Sequence, residues 1–181
     1  MIKNVKEITE GGITIGDKTF SLGKKVEDPR PKPPISHTDP SKREGTKIPS
    51  ERKKILLITD DIRVTSGVAQ IGREIVMETA HRYNWVCIAG AVKHPDYGKR
   101  VELSGEVNKI TGLTDSNVIV YPAHGYGEPA FLKSIMETEK PDAILLITDP
   151  RYFTWIFQME NEIRKEIPIA YLNIWDDFPA P

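Results

Sequence analysis

The residues best suited to chemistry stand in four short polar loops, each directly after an apolar run. Asp60, Asp61, Arg63, Thr65, Ser66 and Gly67 follow the run 55–58. Pro122, His124, Gly125, Tyr126 and Gly127 follow 118–121. Asp149, Pro150 and Arg151 follow 143–147, and Trp175, Asp176 and Asp177 follow 169–174. Carboxylates in such loops can orient or deprotonate a hydroxyl, with Asp149 as a base for an acceptor and Asp60 beside it. Trp175, Phe178 and Tyr126 offer faces on which a sugar or base can stack; packing at the sheet rim is the plainer reading of the same rings. Ser66 and Gly67 stand where a strand gives way to a helix. There a glycine admits a ligand to the backbone and the helix amino terminus favours phosphate. A serine cap followed by a turn glycine explains the same two residues without a ligand.

Several chemistries are excluded by spacing. One glycine is neither GxGxxG nor GxxxxGK[ST], so there is no dinucleotide fingerprint and no Walker loop. Asp60-Asp61 resembles the acidic pair of phosphoacceptor receiver domains. That chemistry also needs an isolated aspartate after the third strand and a lysine after the fifth, where this chain has Tyr121-Pro122 and Trp175-Asp176. His124 has no His or Cys partner at ligand spacing, so no metal site is expected. Asp149-Pro150 also reads as a cap and a first-turn proline; the aspartate can cap a helix and still face a cleft.

These loops need a scaffold that brings them to one edge. The runs 55–58, 85–92, 118–121, 143–147 and 169–174 are short and continuous, as in strands buried on both faces. Helix-period stretches separate them. Val68, Ile71, Ile75, Thr79 and Tyr83 share one predicted face; Phe131, Leu132, Ile135 and Met136 share a second; Phe153, Ile156, Phe157 and Ile163 share a third. Strands alternating with helical crossovers predict an α/β fold, a doubly wound parallel sheet of Rossmann-like type over residues 54–181, whose ligands sit at the carboxyl ends of the strands. The stretch 93–117 is polar and long. It has room for a small hairpin, and an open loop of that length is more often functional than inert. Ahead of the sheet, residues 1–27 carry short alternating runs with a turn at Gly16-Asp17-Lys18, a small β-hairpin element. Residues 28–53 hold six prolines among charges and read as a linker or a surface strap.

Composition bounds the rest. The single cysteine, Cys87, lies in an apolar run, which excludes a disulfide framework and fits a reducing compartment. No apolar run approaches the ~20 residues of a membrane span, and the amino terminus has no apolar signal core. A cytoplasmic location is expected. Residues 1–54 hold 13 Lys+Arg against 8 Asp+Glu, and the remainder 12 against 18. A basic arm thus precedes an acidic body, so DNA is a candidate partner, although interleaved signs fit a solvated or self-docked arm better.

With these loops in view, the chain resembles the amino-terminal half of the group 1 retaining glycosyltransferases of GT-B architecture, especially versions from large phages. The resemblance rests on TDDIRVTSGVAQIGREI, VIVYPAHGYG, KPDAILLITDPRYF and IAYLNIWDDFPAP, and spans residues 54–181. It implies that this domain binds mainly the acceptor at His124, Tyr126, Arg151, Trp175 and Asp176. A carboxyl-terminal domain or partner chain would bind the nucleotide-sugar donor and supply a glutamate motif. The first-loop glycine, Gly67, would lie near the donor phosphates, with Ser66 beside it. The residue after the fourth strand would lie near the transferred sugar; many members have histidine there, and this chain has Asp149. The resemblance further implies no cofactor beyond the nucleotide sugar and no bound metal, and that this half alone transfers nothing. Two other readings stand beside it: a flavodoxin-like module that binds a small ligand without turnover, and a glycosyltransferase whose acceptor is DNA.

Overall fold

The computed structural model describes the backbone of three strands within residues 5–21, and residues 43–175 in full. Gly16 and Asp17 of the predicted turn, the proline-rich stretch through residue 42, and Asp176, Asp177 and Phe178 lie outside the described residues. The chain divides into two units, Met1–His37 and Thr38–Pro181. In the first, β1 (Val5–Thr9), β2 (Gly12–Ile15) and β3 (Lys18–Ser21) form an antiparallel meander in which Ile13 pairs with Phe20.

The second unit is α/β. Its elements are β4 (Lys53–Asp60), α1 (Gly67–Thr79), β5 (Tyr83–Gly90), β6 (Val101–Glu102), α2 (Ser104–Thr111), β7 (Val118–Pro122), α3 (Pro129–Glu139), β8 (Ala143–Thr148), α4 (Thr154–Ile163) and β9 (Ile169–Asn173). The sheet order is β6-β7-β5-β4-β8-β9. All pairings are parallel except β6 with β7. From β4 the chain winds outward through β5 to β7, then crosses back to β8 and β9. The winding therefore reverses between β4 and β8, and a crevice opens at such a point.

Alternation along each strand divides the core. Leu56 and Ile58 of β4 pack with Val86, Ile88 and Ile119 on the face that buries Leu132, Ile135, Ile156 and Ile163 of α3 and α4. Leu57 packs with Cys87, Val118 and Val120 on the face covered by Val76 and Val107 of α1 and α2. Both faces of the central strands are thus apolar, which is why their sequence runs are continuous. Burial of Cys87 raises its thiol pKa far above the ordinary value.

Three details differ from the sequence expectation. The run 169–174, read as a strand buried on both faces, forms the edge strand β9, which is mostly exposed because only β8 pairs with it. The buried stripe of α1 is Ala69, Gly72 and Val76, whereas Ile71 is exposed and Tyr83 belongs to β5. The small residues win because they allow close approach: a Cβ on Gly72 would lie 3.1 Å from the Thr59 Cγ2. The polar stretch 93–117 is no open loop, for it forms β6 and α2, and α2 ends at Gly112 with φ 76°. Only Val107 of α2 is buried, so its apolar periodicity is too thin to read.

At the amino-terminal end of the sheet, residues 43–52 are fastened by Arg52, whose side chain is fully buried. Its guanidinium donates to the Lys47 carbonyl at 2.8 Å, the Asp115 carbonyl at 2.7 Å and the Asp115 carboxylate at 2.8 Å. The Lys47 amide donates to the carbonyl of buried His81 at 3.0 Å. On the α3 side, buried Glu139 accepts from the Tyr121 hydroxyl at 2.7 Å, Lys54 Nζ at 3.1 Å and Arg100 Nε at 3.2 Å. Burial and this carboxylate push the Tyr121 hydroxyl up to about 12.

Candidate functional site

The crevice between the carboxyl ends of β4 and β8 is a cleft of about 290 Å³. Asp60 ends β4 and Val68 opens α1 on one side of it. Thr148, Asp149, Arg151 and Tyr152 lie at the end of β8 on the other; Tyr126 and Ile174 complete the lining. The volume is near the lower end of small-ligand sites, which begin at about 300 Å³.

Asp60 is held by Ser66. The Ser66 hydroxyl donates to Asp60 Oδ2 at 2.7 Å and accepts from the Ala69 amide at 3.0 Å, the N-cap bond of α1. Its proton and an acceptor lone pair are both engaged, so Ser66 orients the carboxylate. Gly67 begins α1, and a Cβ there would meet nothing within 4 Å, so the space beside it is open. Asp61 turns the other way. It is buried and paired with Arg63, whose Nε and amide donate to its Oδ1 at 2.8 and 3.0 Å. Burial opposes ionisation of Asp61, but the Arg63 bonds prevail and hold it below the usual carboxylate range.

Asp149 caps a single 3-10 turn, Pro150–Tyr152, accepting from the Arg151 amide at 2.8 Å. The cap expected at Asp149-Pro150 is present, and Asp149 also lines the cleft. Arg151 folds back over it: Nε lies 2.9 and 2.8 Å from the two carboxylate oxygens, and Nη2 also bonds Oδ2. These bonds hold Asp149 ionised below its ordinary range. The same guanidinium lies over the Trp175 ring, 4.8 Å from its centroid.

Tyr126 reaches the cleft because of three glycines. Gly125 and Gly127 adopt φ of 55° and 81°, a region open to glycine. They fold the HGYG loop back across the end of β5. Gly90 leaves room for it: the Gly90 Cβ position is 3.2 Å from the Gly125 carbonyl and 3.6 Å from the Tyr126 Cα. Tyr126 then stacks on Tyr152, with centroids 4.6 Å apart and planes 19° from parallel. Burial and nearby Asp60 raise the Tyr126 hydroxyl pKa, so it stays a proton donor.

The fold therefore brings Asp60, Asp149, Tyr126 and Arg151 to one cleft, with Ser66, Gly67 and Trp175 adjoining through the contacts above. It does not bring His124 there. That ring is exposed and stacks on Tyr97 at 3.9 Å, and Tyr97 in turn contacts Phe131. Asp176 lies outside the described residues. Sequence reasoning missed Tyr152 and Thr148. Tyr152 was within reach, since it stands next to Arg151 in the same loop; its pairing with Tyr126 depends on tertiary packing that spacing does not encode. Among the described residues, no group of three or more His, Cys, Asp or Glu is placed to hold a metal ion, and no helix is long and apolar enough to cross a membrane. No family model, no curated protein and no solved structure matches this chain.

Proposed function

We propose that the α/β unit is the acceptor-side half of a glycosyltransferase, and that its cleft seats a polyhydroxylated ligand. One observation carries this reading: two carboxylates, Asp60 and Asp149, face a small cleft walled by the stacked rings of Tyr126 and Tyr152. Carboxylates accept short, charge-assisted bonds from hydroxyls, and aromatic faces receive the C–H side of a sugar ring. Asp60 orients the acceptor hydroxyl from its fixed place beside Ser66. Asp149 receives the hydroxyl proton once its carboxylate is uncovered. The open space at Gly67, at the amino terminus of α1, admits the phosphates of a nucleotide-sugar donor. A further domain or a partner chain supplies the remaining donor contacts.

The test is ligand-observed NMR of the 181-residue chain with a panel of methyl glycosides. Transfer of labelled sugar from nucleotide sugars is then measured in the presence of the completing domain. Binding that is lost in Asp60→Asn and Tyr152→Ala supports the reading. Binding to no glycoside, or binding that both variants retain, removes it.

A further inference from the structure

Arg151 is the only basic side chain among the described residues lining the cleft, and it is bound to a residue the proposed reaction requires. Each partner has contacts beyond the pair, the guanidinium with the Trp175 ring among others. Asp149 is partly buried, with 15 % of its side chain exposed, and is tied to the backbone by the Arg151 amide. The guanidinium stands at the end of a flexible stem with 46 % of the side chain exposed. An ion pair open to water on one side is screened and contributes little to stability. The guanidinium's donors match a phosphate as well as a carboxylate, and two parallel bonds form with either.

An anion entering the cleft meets the opposing charge of Asp60. The positive end of α1 offsets that charge only in part, and Arg151 is the one described lining residue that can answer it directly. We infer that Arg151 is an exchangeable latch: a phosphate-bearing ligand draws the guanidinium off Asp149 and so uncovers the carboxylate for the hydroxylated ligand. One residue thereby couples capture of a phosphate to exposure of the hydroxyl acceptor. Phosphate and sugar then help each other's binding by the same factor, as linkage requires. This inference rests on the reading proposed above and adds to it the order in which the cleft is filled.

The experiment uses pyrophosphate as the anion and a methyl glycoside as the hydroxylated probe, with the Arg151 Nε–H and Trp175 Nε1–H signals monitored by NMR. In the unaltered chain, pyrophosphate shifts both signals and tightens glycoside binding. Arg151→Gln weakens pyrophosphate by about tenfold or more, the value of one charged bond pair. The same variant binds the glycoside without pyrophosphate as tightly as the unaltered chain does with it. Arg151→Lys retains part of the pyrophosphate binding. Equal pyrophosphate affinity in Arg151→Gln overturns the latch, and so does weakening of the glycoside by pyrophosphate. If no glycoside binds, the parent reading fails, and the latch is decided separately: shifted Arg151 and Trp175 signals uphold it, and unmoved signals overturn it.

Discussion

The Cβ that Gly90 lacks would stand 3.6 Å from the Tyr126 Cα, so the end of one strand makes room for the aromatic wall of the cleft. The nearest atoms are backbone: the Gly125 carbonyl at 3.2 Å and the Thr59 carbonyl at 3.3 Å. Neither can rotate away as a side chain would. Gly90→Ala is expected to cost about 1–3 kcal/mol, the range for overpacking, and to separate the Tyr126 and Tyr152 rings. Urea unfolding measures the first effect, and the ring-proton shifts of both tyrosines measure the second.

Ser66 serves α1 and Asp60 together, which makes its replacements informative. Ser66→Ala should lower stability by about 1 kcal/mol through loss of the cap. Asparagine and aspartate are equally good caps in general. Here Ser66→Asn should recover most of the loss, and Ser66→Asp should recover less, because its charge would face the Asp60 carboxylate. Equal urea midpoints for the two variants would show that Asp60 and residue 66 are not coupled.

His81 supplies a pH dependence. Its ring is buried, and Arg43, Arg52 and Arg82 stand near it. Burial and these three cations lower its pKa, against a weaker opposing contact of Nε2 with the Glu44 carbonyl at 3.3 Å. The unfolded chain therefore binds more protons than the folded one below the ordinary value of about 6.5. The contribution is fully present above that pH and is lost as pH falls through the depressed folded value. Unfolding midpoints measured from about pH 7 to about pH 5 should decline, and His81→Gln should flatten that part of the profile.

Glu139 is a buried carboxylate with three donors. Burial raises its pKa, but the bonds from Tyr121, Lys54 and Arg100 outweigh this and hold it below the usual range. Glu139→Ala should cost about 1–3 kcal/mol, since it strands the Tyr121 hydroxyl and takes a carboxylate from Lys54 and Arg100, which keep the residue-139 carbonyl and Glu102 as partners. Glu139→Gln keeps an acceptor for Tyr121 and should cost less than half as much by chemical denaturation.

Ala91 carries a φ of 69° directly after β5, where its amide donates to the Gly125 carbonyl at 2.6 Å. A left-handed conformation costs an alanine about 1–2 kcal/mol. Ala91→Gly removes that strain and adds chain entropy to the unfolded state. A net gain of up to about 1 kcal/mol is expected in thermal or urea unfolding.

The fold was legible wherever burial on both faces left continuous apolar runs, as in β4, β5, β7 and β8; β9, at the sheet edge, has an apolar run although it is mostly exposed. The parallel order comes from strands alternating with helices. It was illegible where small residues set the contact: Ala69 and Gly72 carry little hydrophobic signal, yet they fix how closely α1 approaches β4. α2 was hidden because a helix that buries one side chain has almost no periodicity. The cleft was half legible. Asp60, Tyr126, Asp149 and Arg151 could be placed from the polar loop at the carboxyl end of each strand. The departure of His124 toward Tyr97 and the pairing of Tyr126 with Tyr152 depend on backbone turns at Gly125 and Gly127. Those turns decide which of two neighbouring rings points to the cleft, and spacing alone does not distinguish them.

Cys87 sits mid-strand between β4 and β7, and it is the chain's single cysteine. No reagent can reach its sulfur while the sheet is closed, and the thiolate that would react is disfavoured by its surroundings. Every alkylation event therefore records an opening of the central sheet, and one site gives one rate. With reagent limiting, that rate reports the free energy of opening; with reagent in excess, it reports the opening rate itself. The protein thus carries a built-in stopwatch for its own core, readable by mass on any of the variants above without an added label site.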